Sequence, residues 1–331
     1  MNEASVVAAL RAALGAPAGR VRLGIGDDAA VWSPAPGQLQ VITVDECTEG
    51  IDFRRTTVSL EDAGWRALAA SLSDAAAMGA RPLLAVVSLV IPGDLDEGGV
   101  VLLYQGMAEL AARHRVQIVG GDLSRGEVLS LGVTVVGEVR PSNLKRRGDG
   151  RAGDVLAVSG PLGLCRAGLA IVEGEVDREL LDPHLVERAV AAYRRPEPRV
   201  AAGRFLGGSR SVRGMMDLSD GLAADLPRLA AACGAAALID ADTLPVDPAC
   251  RAVAQAMGAA PEDLALEGGD DLELLCTVQR RAFGYLAERV RARLGRPLLL
   301  VGRLEAGTGV VVSRGGVQHP LEVEGWEALR R

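Results

Sequence analysis

Hydrophobic positions along the chain switch repeatedly between a period near 3.6 and a period of 2. A mild helical spacing of Val6, Val7, Leu10 and Leu14 opens the chain, and Val21-Arg22-Leu23 then reads as a short extended run. From Leu39 to Val44 the side chains alternate as in a half-buried strand. Ser59 with Asp62 three residues on predicts a helix N-terminus. The pattern continues through Leu60, Ala63, Ala67, Leu68 and Leu72 and stops near Gly79, before Pro82. The run from Leu83 to Ile91, interrupted by Ser88 and closed by Pro92-Gly93, predicts a buried strand. A helix over 96–114 turns Val100, Leu103, Met107, Leu110 and Ala111 inward, and strands from Val116 to Val119 and from Leu129 to Val139 follow it.

The charged, turn-rich stretch from Lys145 to Asp154 breaks the alternation and predicts a linker, with residues 1–147 before it and 148–331 after it. The second part restarts with a strand from Val155 to Val158, the turn Ser159-Gly160-Pro161-Leu162-Gly163 and a helix through Leu169. The segment from Glu197 to Phe205 starts another helix with Pro198 in its first turn. An apolar run from Val212 to Met216 precedes a helical spacing of Leu222, Leu226, Leu229 and Cys233. Ser219 could cap that helix, or Asp225 could if the regular part begins only at Pro227. Late strands are predicted from Leu272 to Val278 and from Leu298 to Val301, with a closing hairpin through Val310 to Ser313 and Val317. The pattern as a whole predicts two α/β domains.

Composition narrows what such domains would do. A chain of 331 residues with 49% apolar residues can bury two cores. A formal charge of −7, with no basic run beyond Lys145-Arg146-Arg147, argues against a general nucleic-acid or anionic-membrane surface. The five cysteines stand singly and the three histidines lie far apart, which argues against a zinc site or disulfide framework and makes a reducing cytoplasm the expectation. No apolar run is long enough to span a bilayer, and the first residues lack the continuous apolar region of a signal peptide.

Acidic residues supply the chemistry. Asp217 and Asp220 stand three apart where an apolar segment gives way to a helical pattern. Gly26-Asp27-Asp28, Thr43-Val44-Asp45, Gly120-Gly121-Asp122 and Gly268-Gly269-Asp270-Asp271 each adjoin a strand-like run. Asp74 falls near the end of a predicted helix, where it opposes the dipole at a cost of about 0.3–1 kcal/mol that a nearby cation would remove. Hard cations require oxygen ligands, so the repeated aspartates point to several Mg²⁺ ions on a nucleotide triphosphate. Plainer readings stand beside this one: a surface turn at Asp27-Asp28, a solvated helix face at Asp74 and a hairpin turn at Gly120-Gly121. Gly24 to Ala29 also matches the G-x-G-x-x-A dinucleotide fingerprint, but it runs on into Ala30-Val31-Trp32, Pro34 and Pro36 where that fingerprint must open a helix.

Taken together, GIGDDAAV (24–31), SLSDAAAMGARP (71–82), GGD (120–122), MDLSDGL (216–222) and GGDDLEL (268–274) resemble the thiamine-monophosphate kinase family, within the aminoimidazole ribonucleotide synthetase-like superfamily. The resemblance runs from about Gly24 to Trp326. It implies an α/β (α+β), two-domain architecture, each domain a mixed sheet flanked by helices. It also implies transfer of the ATP γ-phosphoryl to thiamine monophosphate by direct in-line attack, with no covalent nucleophile and no general base. Mg²⁺ ligands would be Asp28, Thr43, Asp45, Asp74, Asp122, Asp217 and Asp220. ATP contacts would come from Tyr104, Gly121, Asp122, Ser219 and Arg146, with Arg147 a near-equal alternative. Substrate contacts would fall on Asp52, Asp270 and Trp326. A cytoplasmic homodimer that pairs its N-terminal sheets, with ATP between the domains of each chain, is implied as well.

Three departures sit on the acceptor side. Gly50-Ile51-Asp52-Phe53 replaces a G-x-H-F stretch, Leu272 replaces an aromatic residue in GGEDYEL, and Glu327-Ala328-Leu329 follows Trp326. They leave open another small phosphorylated acceptor, or a non-catalytic nucleotide-binding protein.

Overall fold

The computed structural model describes residues 3–25, 29–321 and 325. The chain divides into two compact units. The first holds the residues up to Ala75 together with Ala80–Ser142, and the second holds Ala76–Gly79 and the residues from Asn143 onward.

In the first unit, α1 (Glu3–Leu14) is followed by β1 (Val21–Leu23), β2 (Val31–Trp32), β3 (Leu39–Thr48), α2 (Leu60–Ala77), β4 (Arg81–Ile91), α3 (Glu97–His114), β5 (Gln117–Arg125) and β6 (Ser130–Val139). The last four strands form one sheet in the order β3-β6-β4-β5, parallel only between β4 and β5. Helices start where capping chemistry predicts. The Ser59 hydroxyl accepts from Asp62 N, and Asp96 accepts from Gly99 N at 2.9 Å.

One face of the sheet takes α2, whose Ser71 hydroxyl donates to Val133 O. Leu68, Leu72, Leu89, Leu103, Met107, Leu131 and Val133 are all fully buried. Across the α2–α3 contact a Cβ on Gly64 would meet Leu103 O at 1.9 Å and one on Gly106 would meet Glu61 O at 1.7 Å, so the two helices touch backbone to backbone. On the opposite face the β1–β2 pair packs Val21 against Leu84, Val119 and Val136. On that same side of β3, Ile42 and Val44 stand 72% and 63% exposed.

The second unit runs β7 (Asp154–Val158), α4 (Leu164–Val172), α5 (Pro183–Arg194), α6 (Val200–Gly207), β8 (Val212–Asp217), α7 (Leu222–Cys233), β9 (Ala236–Asp240), α8 (Pro248–Met257), α9 (Pro261–Glu267), β10 (Leu274–Gln279), α10 (Phe283–Leu294), β11 (Leu299–Glu305), β12 (Val310–Arg314) and β13 (Val317–Pro320). Its seven-stranded sheet has the order β13-β12-β9-β11-β7-β10-β8 and is mixed, with β9 and β12 parallel. The main core joins that sheet to α4, α5, α7, α8 and α9 through Leu156, Val158, Leu226, Leu229, Val253 and Leu264.

Three expectations change. β5 does not stop at Val119. It stays paired with β4 as far as Ile91 opposite Arg125, so Gly120-Gly121-Asp122 lies inside the strand. Neither Ser219 nor Asp225 caps α7, which begins after Gly221 without a side-chain cap and runs through Pro227. β10 begins at Leu274, because Leu272 has a left-handed φ of 50° that no strand accommodates. Helices α5, α8, α9 and α10 and strand β9 are not in the sequence reading.

Two glycine substitutions should move stability in opposite directions. Gly106→Ala forces α2 and α3 apart and is expected to cost about 1–3 kcal/mol. Gly284→Ala, in α10 with nothing within 4 Å of the added carbon, should gain about 0.5–1 kcal/mol. Urea midpoints for each check the pair.

Candidate functional site

In the first unit the site begins on β3. Thr43 and Asp45 lie two apart on the strand and face α2, and the Thr43 hydroxyl donates to the Asp74 carboxylate near the end of that helix. No basic residue occupies the last turn of α2, so a cation near Asp74 would relieve the dipole penalty. This donor set is all oxygen, a hydroxyl and two carboxylates. It fits Mg²⁺, which is held through one or two carboxylates, with water and substrate phosphate filling the other positions. Among the described residues no group of three or more His, Cys, Asp or Glu side chains is placed to hold a metal ion without a further donor. Asp28 lies outside the described residues.

Asp122 is not brought to that cluster. Its ladder partner is Ser88, which pairs with Gly132, which in turn pairs with Glu46. It therefore shares a face with Glu46, the face opposite Asp45, and sits on the other edge of the sheet, about 14 Å away at three strand spacings. Gly121 is glycine for a reason inside the sheet: a Cβ there would meet Val87 O at 2.0 Å.

Two further expected contacts stand differently from their roles. Tyr104 is 2% exposed in α3, and burial pushes its phenol above its usual range, which makes it a core residue and not one that offers its ring to a nucleotide. The Asp52 carboxylate accepts from Thr48 N at 2.7 Å and so closes its own turn. β1 pairs antiparallel with β2, a strand standing where the dinucleotide fingerprint must open a helix, which removes that reading of Gly24 to Ala29.

In the second unit, two of the motifs are joined by backbone hydrogen bonds. Leu274 pairs with Asp217. The pairing continues past the strand ends: Leu218 N donates to Glu273 O at 2.8 Å, Leu272 N to Leu218 O at 3.1 Å and Asp270 N to Ser219 O at 2.8 Å. Asp217, Ser219, Asp220 and Asp270 are thereby collected at one end of β8. The Asp220 carboxylate is bonded by Arg228, which also reaches Asp225 at 2.9 Å, while Asp225 accepts from Asp220 N. Burial, followed by the charge of Asp220, pushes the Asp225 carboxyl up to about 6. Arg146 is exposed and paired with Asp149 at 2.7 Å, and Arg147 is exposed as well, while the backbone of both packs against Gly214 of β8 and that of Arg147 also against Cys233 of α7. Trp326 lies outside the described residues.

In the 268–273 segment Asp271, counted in the sequence among the metal-seeking aspartates, and Glu273, given no role there, are both turned inward. Asp271 is buried and accepts from the backbone N–H groups of Gly163 and Cys165 at the start of α4. Burial pushes its carboxyl up to about 7, against the lowering effect of those two bonds. Glu273, 2% exposed, receives Arg199 at 2.9 Å, Arg296 at 2.7 Å and the Ser159 hydroxyl. Asp270 and Leu272 have φ of 62° and 50°, and a left-handed leucine costs of order 1–3 kcal/mol. The signal in the sequence is the acid count of GGDDLEL, three in seven residues, more than an acceptor contact requires.

Asp271 makes stability fall as pH rises. The folded carboxyl keeps its proton to about 7, whereas the unfolded one loses it near about 4, so the folded state is penalised progressively between those values. Asp271→Asn has no such proton, and its urea midpoints at pH 5 and pH 7.5 should lie closer together than those of the unaltered chain.

Comparison with known proteins covers both units. Residues 26–139 match the AIR synthase related protein N-terminal domain family, and residues 151–313 match the AIR synthase related protein C-terminal domain family. The chain is 31% identical to the thiamine-monophosphate kinase of Bacillus subtilis (strain 168) over 313 residues, 94% of each protein. Among solved structures it is similar to thiamine-monophosphate kinase from Stenotrophomonas maltophilia K279a, with 36% identity, a TM-score of 0.79 and 98% of each chain covered. It is also similar to AaThiL complexed with AMPPCP and TMP, with 30% identity, a TM-score of 0.77 and 89% and 88% covered. With two AIR synthase-like units, each a mixed sheet flanked by helices, and identity sustained along nearly its whole length, the chain belongs to the thiamine-monophosphate kinase family.

Proposed function

We propose that this chain transfers the γ-phosphoryl group of ATP to thiamine monophosphate, giving thiamine diphosphate and ADP. The observation that carries the reading is the likeness, over 89% of the chain, to a family member complexed with an ATP analogue and TMP. The all-oxygen donor set of Thr43, Asp45 and Asp74 supports it from the chain's own residues. Both reacting groups are phosphates. The attacking oxygen is already anionic, so no side chain has to take its proton and no covalent nucleophile is needed. What opposes the reaction is repulsion between two anions. Mg²⁺, when bound, neutralises that charge and orients the in-line attack.

In the first unit Thr43, Asp45 and Asp74 would hold Mg²⁺. In the second, Asp217 and Asp220 would do so, with Ser219 beside them for the nucleotide and Asp270 for the acceptor. Arg228 limits the repulsion between Asp220 and Asp225 until a metal arrives.

A homodimer belongs to the same proposal. It is supported by Ile42 and Val44, a pair of apolar side chains standing open on edge strand β3, and by the placing of Asp122 far from Asp45 within one chain. A cytoplasmic location fits the single cysteines, and among the described residues no helix is long and apolar enough to cross a membrane.

The direct check is ADP release with Mg²⁺, ATP and a panel of phosphorylated acceptors. Thiamine monophosphate should be turned over fastest, and turnover of another acceptor alone would transfer the reading to a different kinase. Asp45→Asn and Asp217→Asn should each lower kcat/KM by at least about tenfold and raise the Mg²⁺ concentration needed for half-maximal rate, with thermal stability kept; EDTA should abolish turnover. Val44→Asp should convert a dimer to a monomer in light scattering, and a monomeric unaltered chain would remove that part of the proposal.

A further inference from the structure

The segment Gly268–Glu273, between α9 and β10, has more holding it in place than a connecting loop requires. Aspartate tolerates a left-handed backbone, since its short polar side chain can bond locally, but leucine does not. A left-handed Leu272 therefore persists only where its surroundings fix it. Those surroundings are on both sides. Asp271 points inward to the first N–H groups of α4, and Glu273 points inward to Arg199, Arg296 and Ser159. Between them the Leu272 side chain is 1% exposed. The seat of Glu273 is closely fitted: a Cβ on Gly160 would stand 2.3 Å from its Oε1. Asp270, one residue before the first anchor, remains partly exposed and is tied by its own N–H to Ser219 O.

We propose that Asp271 and Glu273 are positioning residues for phosphoryl transfer: two buried carboxylates that draw the chain inward on either side of Leu272 and so fix Asp270 beside Ser219 and Asp220. The proposal rests on the reading of Asp270 as an acceptor contact. Stability alone is a poor account of the arrangement, because replacing a buried charge cluster with packed apolar side chains is often neutral or stabilising. What charge and hydrogen bonding add here is direction. Each carboxylate has a fixed set of donors, and a backbone that must turn left-handed twice cannot relax past them. Neither residue touches substrate in this scheme, and both act through the placement of Asp270.

The test uses the full-length protein and three variants. Glu273→Gln keeps shape and removes the charge facing the two arginines. Asp271→Asn keeps an acceptor for the α4 amides, and Asp270→Asn keeps a residue that tolerates the left-handed turn while removing the acceptor-facing charge. Steady-state kinetics with thiamine monophosphate and ATP are paired with peptide-resolved hydrogen exchange. Glu273→Gln should raise KM for the acceptor about tenfold while KM for ATP stays within about twofold, and Asp271→Asn should shift the same parameter in the same direction. Exchange should quicken in peptides covering 266–276 and 216–222 and stay unchanged in the β7 strand. Asp270→Asn should reproduce the kinetic change without the change in exchange.

Unchanged acceptor KM and unchanged exchange in both anchor variants would overturn the proposal. So would faster exchange throughout the second unit, which marks a merely structural role; if Glu273→Gln fails to fold, Asp271→Asn decides. If the unaltered chain does not turn over thiamine monophosphate, the functional reading fails on its own, and exchange still decides whether the two carboxylates hold this segment.

Discussion

Carboxylates that are to serve a metal and a phosphate must be kept close together, and like charges at close range repel. The chain answers this by giving each of these acids a partner, in one case a shared one. A hydroxyl is given to Asp74, one arginine is shared by Asp220 and Asp225, two arginines and a serine meet Glu273, and the free amides of a helix start meet Asp271. The partners differ in kind, and the difference bears on chemistry. A hydroxyl can be displaced or shared when a divalent ion arrives, whereas the backbone amides that hold Asp271 cannot follow a ligand. Asp74, whose hydroxyl partner can move, is read as a ligand, and Asp271, held by fixed amides, anchors the backbone.

Much of this fold could be read from the chain. The periodicity of Val100, Leu103, Met107 and Leu110 located α3 to within one residue of its start, because amphipathic spacing is local; that Asp96 caps the helix was not read from it. GGDDLEL was harder. Alternation alone carries a strand back to Leu272, but a left-handed leucine leaves no trace in composition, since it is enforced by Glu273 and Asp271 reaching elements more than a hundred residues earlier in the chain.

The candidate site was legible in its residue types and only partly in its geometry. Asp45 and Asp122 look alike in sequence, each at an apolar run. What separates them is the strand order β3-β6-β4-β5, which places them on opposite edges and faces. Nothing local in either segment encodes that order. Likewise Arg199, Arg228 and Arg296 are three among many arginines until the fold sets each beside a carboxylate. Tyr104 shows the converse, a polar residue at a helix position whose spacing already matched the buried stripe of α3.

The four residues Ala76–Gly79 belong with the second unit although they are flanked on both sides by the first. A Cβ on Gly79 would stand 2.8 Å from Asn143 O, and one on Gly203 would stand 2.1 Å from Ala76 O, so this short piece is seated tightly among residues far along the chain. The polypeptide therefore passes from one half to the other three times. Neither half can be released by a single cut, and a ribosome that has just finished the first one is still holding a loose end whose resting place has not yet been synthesised.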